Sequence, residues 1–244
     1  MLVTVHADQW ARPPLQGGDI HLLAFNIDKL VNQFDYRVLS ADEQHQASQF
    51  KFSKHRQFWM NCRCLLRHVL ADYLDCQPET IVFNYNDYGK PSINDTLFFN
   101  LSHSHNRMLL AVSQEVDLGV DIERVRADFV SDDLAELCFS RRELDDFYAL
   151  PADQKLSSFF HVWTCKEALI KAVGEGVSFG LKQLSVNVHA DEPARLLAMK
   201  TTRVADWHLH RLGLQGKQSA VASDYYIAIA WQGAIKKVCY YTYL

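Results

Sequence analysis

The sequence predicts an α+β fold in which an order of strands and helices runs twice. Three observations carry this. Short β-rich runs such as "IHLLAFNI" (Ile20–Ile27) and "RMLLAVSQ" are bounded by turn signals. The stretch from Asp42 to Leu74 has the spacing of a helix, with a break near Ser53. From "VDLGVDIERV" the texture starts again with a strand and then helices.

In order, the first half reads as the strand at Ile20, the long helix, then "TIVFNYNDYGKPSI", "LFFNLSHSHN" and "RMLLAVSQ" as strands of an antiparallel sheet. The second half reads as the "GVDIE" strand, a helix from Ser131 to Leu137, and a helix through "FFHVWTCKEALIKAVGEG" (Phe159–Gly176). Strands follow at Leu184–His189, Asp206–Leu212 and Tyr225–Gln232. A division at residues 115/116 follows from this change of pattern, without a low-complexity linker or a residue-level repeat.

With 244 residues, 48% of them hydrophobic, the chain can bury roughly 70–75% of its unfolded surface. A formal charge of −4 gives no sequence-wide attraction for nucleic acid or an anionic membrane, so any anion site is local. No apolar run reaches bilayer length, and "MLVTVHADQWARPPLQGGD" lacks a secretory pattern, which predicts cytoplasmic residence. Cys62 and Cys64 stand in a helical pattern and the other four cysteines are scattered, as expected of reduced, mostly buried thiols.

In "DLGVDIERV", alternation puts Leu118, Val120 and Ile122 on one strand face and Gly119, Asp121 and Glu123 on the other. Two acids about 6.6 Å apart repel by about 2.5 kcal/mol at an effective dielectric of 20, before screening. On an open surface this is a solvated face. In a pocket the pair wants a cation, and all-oxygen ligation suits magnesium.

In the helix, Val162, Cys165, Leu169 and Ala172 form an apolar stripe, while Trp163, Glu167 and Lys171 recur every four residues on another face. Glu167 and Lys171 are either a surface ion pair or a carboxylate and an ammonium beside a phosphate. Gly174 and Gly176 end the helix in both cases. His103 and His105 alternate on one strand without a third ligand for zinc, and His208 and His210 read as ordinary strand residues. Ser140 lacks the surrounding glycines of a nucleophile elbow.

"GVDIE" (Gly119–Glu123) and "WTCKEALIK" (Trp163–Lys171), with "FSRRE" (Phe139–Glu143) between them, resemble the 4′-phosphopantetheinyl transferase superfamily. "YGKP" (Tyr88–Pro91), "NLSHS" (Asn100–Ser104) and the basic helix "KHRQFWMNCRCLLRHVL" (Lys54–Leu70) extend the likeness in family order over residues 50–185. It implies two similar α/β halves related by a pseudo-two-fold axis, in the longer, monomeric branch of the family. Residues 1–115 would contribute the coenzyme A nucleotide site, and 116–244 the magnesium and catalytic residues.

The implied reaction moves 4′-phosphopantetheine from coenzyme A to a serine of an apo acyl or peptidyl carrier protein, with magnesium, releasing 3′,5′-ADP. Such chemistry needs positioning and charge neutralisation more than covalent help. By resemblance, Asp121, Glu123 and Glu167 hold magnesium, and Glu143 is an additional acid near the metal, as ligand or base. Lys171 meets the pyrophosphate, Lys90 a phosphate, and Ser102 and His103 the nucleotide. Arg63 is the match for the 3′-phosphate, with Arg56 and Arg67 as neighbours. The alternatives are a non-catalytic coenzyme A-binding partner and a magnesium-dependent phosphohydrolase.

Carriers of this family present an acidic helix, so a local basic and apolar docking patch is expected near the site, with Arg141 and Arg142 as the first residues to test. Initial transfer rates at subsaturating carrier should then fall as salt rises. A rate independent of salt would assign docking to apolar contact instead.

Overall fold

The computed structural model describes residues 2–7, 13–30, 33–93, 96–200, 203–212 and 224–243. In chain order its strands and α-helices are β1 (Leu2–Ala7), β2 (Asp19–Asn26), α1 (Ala41–Ser48), α2 (Ser53–Leu74), β3 (Asn84–Tyr85), β4 (Pro91–Ser92), β5 (Phe98–Ser104), β6 (Arg107–Ser113) and β7 (Leu118–Arg124). They continue with α3 (Asp132–Cys138), α4 (Arg141–Tyr148), α5 (Ala152–Val173), β8 (Leu184–Val186), β9 (Leu196–Met199), β10 (Trp207–Leu212), β11 (Tyr225–Gln232) and β12 (Lys237–Tyr243).

Local chemistry sets the helix limits. Ser40 and Glu43 close a reciprocal capping box at the start of α1, and Ser140 and Glu143 repeat it at α4. Asp75 ends α2 in the left-handed region at φ 54°, and Gly174 ends α5 there at φ 84°.

Two larger sheets organise most of the strands, and β3–β4 and β8–β9 are separate two-stranded ladders. The larger has the order β1-β12-β2-β6-β5, with β12 parallel to both β1 and β2 and the remaining pairs antiparallel. The smaller is antiparallel, in the order β10-β11-β7. On the outer face of the larger sheet, Leu66, Val69 and Leu70 of α2 pack against Leu23, Phe99 and Leu110. On the smaller, Val162, Cys165 and Leu169 of α5 pack against Tyr226, Ala228 and Ala230. The inner faces share a third core, with Ile20, Leu22 and Leu109 meeting Val120, Ile122, Ile229 and Trp231. Each sheet is therefore apolar on both faces, which is why its strands read as continuous hydrophobic runs.

Two expectations are corrected. Residues 116–244 are not one spatial unit, because β12 leaves the second half and inserts between β1 and β2 of the first. "VCYYTY" does so because its side chains serve two cores: Val238 and Tyr240 enter the inter-sheet core and Tyr243 the α2 core. The run "TIVF" does not form a ladder: Ile81 packs under α2, Val82 is exposed, and only the two-residue strands β3 and β4 form a hairpin there. The six cysteines are free, and all but Cys76 are buried, as expected.

Alternation on β7 sends Leu118, Val120 and Ile122 into the inter-sheet core, leaving Gly119, Asp121 and Glu123 toward α5. Gly119 sets the distance to that helix, since a Cβ there would collide with the backbone at Ala168 O and Ala172 N. Gly119→Ala should destabilise the fold by about 3 kcal/mol or more, through overpacking against backbone that cannot yield. A denaturant midpoint equal to wild type would show that α5 can shift without cost.

Candidate active site

The site forms where the edge strands of the two sheets, β5 and β7, run side by side. They are bridged by side chains of β5. Asn100 Oδ1 accepts from Val120 N at 2.9 Å, Ser102 Oγ donates to Asp121 Oδ1 at 2.8 Å, and Ser104 Oγ donates to Glu123 Oε2 at 2.8 Å while accepting from Arg124 N at 3.0 Å. The alternation in "NLSHS" thus aims every second residue at the acidic strand.

From the other side, α5 lays its four-residue row along β7. Trp163 Nε1 reaches Glu123 Oε1 at 3.4 Å, and Lys171 Nζ donates to Asp121 Oδ1 at 2.7 Å and to Ser102 Oγ at 2.9 Å. Glu167, half-buried between them, has no hydrogen bond or ion pair among the described residues. Asp121 is buried, and its Oδ2 has no hydrogen-bond partner among the described residues. Burial raises Glu167 above the ordinary carboxylate range and the Asp121 charge adds to this, against the pull of Lys171. Burial likewise raises Glu123, with Asp121 adding and Ser104 and Trp163 opposing. Three carboxylates with one ammonium and one orphaned buried oxygen leave the cluster short of positive charge. That deficit and the all-oxygen donor set would suit a magnesium ion, and Asp121, Glu123 and Glu167 are the residues that could hold it.

A cavity of about 210 Å³ adjoins the cluster, lined by Tyr88, Gly89, Lys90, Leu101, Lys171 and Gly174 among others. It brings Lys90 and Lys171 to one concavity. Lys90 is not extended into open space there: its ammonium donates to Asp117 Oδ1 at 2.7 Å, Leu118 O at 3.3 Å and Ala172 O at 3.2 Å. Burial lowers its pKa and Asp117 counters the shift. The β3–β4 hairpin is tied to the end of α5 by this lysine and by Asn86 Nδ2, which donates to Gly174 O at 2.8 Å. His103 lies on the opposite face of β5 from Ser102, edge-on to Phe58 of α2 at 5.5 Å. His103 is exposed as a residue, yet the protein packed around it desolvates the ring, and this with the Lys171 charge holds it below the usual histidine range.

Two expected site residues lie elsewhere. Glu143 is wholly buried behind α5: Oε2 accepts from Lys166 Nζ at 2.5 Å and Ser140 N at 2.6 Å, and Oε1 from Val186 N at 2.8 Å. With both oxygens bonded to protein, it cannot serve as a metal ligand or base without dismantling the ties between α4, α5 and β8. Its partner Lys166 is desolvated, which lowers its pKa against the pull of Glu143. Arg63 is also committed. Its guanidinium meets Glu43 at 2.6 and 2.8 Å, touches Tyr85 Oη at 3.2 Å and lies over Phe83. Arg67 joins the same carboxylate and donates to Pro78 O and Ile81 O. Burial pushes Glu43 up, but the Ser40 N–H and the two guanidiniums outweigh it and hold it below the usual range. Of the three arginines considered, only Arg56 is exposed, with one long bond to Phe50 O.

Comparison with known proteins supplies the class. A profile of the 4′-phosphopantetheinyl transferase superfamily matches residues 117–230, and one of the 4′-phosphopantetheinyl transferase N-terminal region matches residues 31–115. The 4′-phosphopantetheinyl transferase HetI of Nostoc sp. (strain PCC 7120 / SAG 25.82 / UTEX 2576) is 36% identical over 195 residues, covering 76% of this chain and 82% of that protein.

This chain belongs to the 4′-phosphopantetheinyl transferase superfamily.

The transferase Sfp of Bacillus subtilis (strain 168) is 34% identical over 129 residues, 52% of this chain and 56% of its own length. A solved holo-[acyl-carrier-protein] synthase from Thermotoga maritima aligns over 50% of this chain and 66% of its own, with a TM-score of 0.36 and 15% identity. As a phosphopantetheinyl transferase, the chain is an enzyme that places phosphopantetheine on carrier proteins. Sequence reasoning missed Asn100, Ser104 and Asp117 in the transferase site, because their role is to hold strands and side chains that lie far away in sequence. The one signal for Asn100 and Ser104 was the every-second-residue polarity of "NLSHS".

Replacing Glu143 separates a structural role from the chemical roles weighed for it. Glu143→Gln leaves Lys166 buried without a counter-charge and should cost about 3–5 kcal/mol of stability. The fraction that remains folded should retain the wild-type kcat. A normal melting temperature with lost turnover would return Glu143 to the chemistry.

Proposed function

We propose that this phosphopantetheinyl transferase uses coenzyme A as donor and magnesium as cofactor, with the chemistry at the β5–β7–α5 junction. The carrier serine Oγ attacks the β-phosphorus of coenzyme A, and a serine phosphodiester forms as the bond to the 3′,5′-ADP leaving group breaks. The supporting observation is the orphaned Asp121 Oδ2 among three carboxylates, beside a cavity that Lys90 and Lys171 share. Magnesium held by Asp121, Glu123 and Glu167 would neutralise charge on the pyrophosphate.

The chain's own groups supply the rest. Ser102 and Lys171 fix Asp121 through Oδ1, so the other oxygen faces the cluster already oriented. Lys171, 29% exposed at its side chain, is the ammonium placed to meet a pyrophosphate oxygen. Glu167 lacks a hydrogen-bond partner among the described residues and has a raised pKa, which suits it to receive the serine proton. We assign the nucleotide end to Lys90, which lines the cavity, with Ser102 and His103 on the adjoining strand, and in the basic helix to the exposed Arg56 and Lys54 in place of the buried Arg63. Among the described residues no helix is long and apolar enough to cross a membrane, and we read the enzyme as a cytosolic monomer.

Incubation with coenzyme A, magnesium and an apo carrier should raise carrier mass by one phosphopantetheine. Coenzyme A binding without transfer would identify a non-catalytic partner, and cleavage without carrier a phosphohydrolase. Lys171→Met should lower kcat by about 10²–10³, whereas a surface ion pair would leave the rate unchanged.

Glu167→Gln gives a test with a second readout. A carboxylate whose pKa is raised in the fold contributes stability below its ordinary value near 4.5, and that contribution is lost as pH rises through the folded value. Without magnesium at neutral pH, the glutamine variant should therefore melt higher than wild type. It should lose turnover and most of the melting increase that magnesium gives wild type. Unchanged magnesium stabilisation would remove Glu167 from the metal.

A further inference from the structure

Far from the carboxylate cluster, the larger sheet carries a buried group of a different chemistry. Parallel pairing of β12 with β2 sets Cys239 opposite His21, one step along from Lys237 opposite Asp19. Registered residues on parallel neighbours share a face, so all four project together. A carboxylate oxygen of Asp19, a ring nitrogen of His21 and the Cys239 sulfur lie within 4.8 Å of one another, and all three residues are buried.

Two of the donors lack hydrogen-bond partners. His21 Nδ1 is held by the Tyr73 hydroxyl of α2 at 2.8 Å, while Nε2 is buried with no partner among the described residues. Asp19 Oδ2 is likewise buried without a hydrogen bond, with the Lys237 ammonium 3.3 Å away. A polar atom buried without any partner, as His21 Nε2 is, costs about 1–3 kcal/mol, and it marks the place of an occupant that Asp19 and Cys239 also face.

We propose that Asp19, His21 and Cys239 bind one zinc-class transition-metal dication, distinct from magnesium at Asp121. One sulfur, one imidazole and one carboxylate are borderline-soft ligands of the kind that select zinc or cobalt over magnesium. Ligands on a tetrahedral zinc ion stand about 3.3–3.8 Å apart, so the donors must close by roughly an ångström, with water in the fourth position. Tyr73 fills the outer-sphere place: its oxygen accepts from Nδ1–H and fixes the tautomer that leaves Nε2 free. Burial already holds His21 neutral, with its pKa lowered to about 4. Thiolate and carboxylate together balance the dication once the Lys237 ammonium, whose side chain is 34% exposed, turns from Asp19 to solvent. Such an ion would pin β12 to β2, the join that returns the last strand to the first sheet.

The test uses the full chain, stripped with chelator and then titrated with cobalt(II) in saturating magnesium. One cobalt per chain should bind and give a thiolate-to-cobalt charge-transfer band in the near ultraviolet. The band should vanish in Cys239→Ser and weaken in His21→Gln, with transfer to the carrier unchanged in both. Zinc should also raise the melting temperature of wild type but not of either variant. No band, or a band that survives in Cys239→Ser, overturns the proposal, because oxygen ligands at the carboxylate cluster give no thiolate transition. Should Cys239→Ser fail to fold, the wild-type band and its weakening in His21→Gln decide, and an unweakened band overturns the proposal.

Discussion

Three polar residues of β5 join the edges of two sheets that share an apolar core but, among the described residues, no backbone ladder. Asn100, Ser102 and Ser104 bond into β7 in register, using side chains where a continuous sheet would use main-chain groups. A side-chain seam is longer than a ladder, and it leaves a groove along β7 that α5 covers from one side. Asp121 and Glu123 sit in that groove: close enough to protein to be desolvated, yet not fully satisfied by it. The unmet charge that makes the site useful follows from the way the halves are joined.

Behind this groove the helices are fixed by buried ions. Glu143 and Lys166 lock α4, α5 and β8, and Glu43 with Arg63 and Arg67 locks α1 to α2 and to the loop before β3. These pairs follow a repeated local design, since each glutamate also closes a capping box at the start of its helix. Their worth lies in geometry more than in net stability: removing one partner is costly, while the intact pair roughly balances its own desolvation. A fixed α5 lets Trp163, Glu167 and Lys171 approach β7 in a set order, and Gly119 permits the approach.

Cations near a site are easily read as ligand contacts, and here the structure divides them. Arg63 and Arg67 are spent on Glu43, and Lys90 closes the hairpin onto Asp117 and the end of α5. Lys171 differs, because its single ion pair is with an acid that belongs to the cluster itself, leaving its charge at the cavity.

The sequence alone determined the periodic elements and the faces they present. Alternation at Gly119–Glu123 and the four-residue row Trp163–Glu167–Lys171 depend only on backbone geometry, which a short stretch of chain specifies. The family was likewise legible, since its motifs are local. Tertiary structure decided whatever depends on partners distant in the chain. Glu143 and Glu167 are both glutamates in helical motifs, but Glu143 meets Lys166 and Val186 in a closed interior, and Glu167 faces the acids of β7. The destination of "VCYYTY" was equally hidden, because an apolar strand buried on both faces fits any sheet with an open edge or gap. Only the packed fold supplies the gap between β1 and β2.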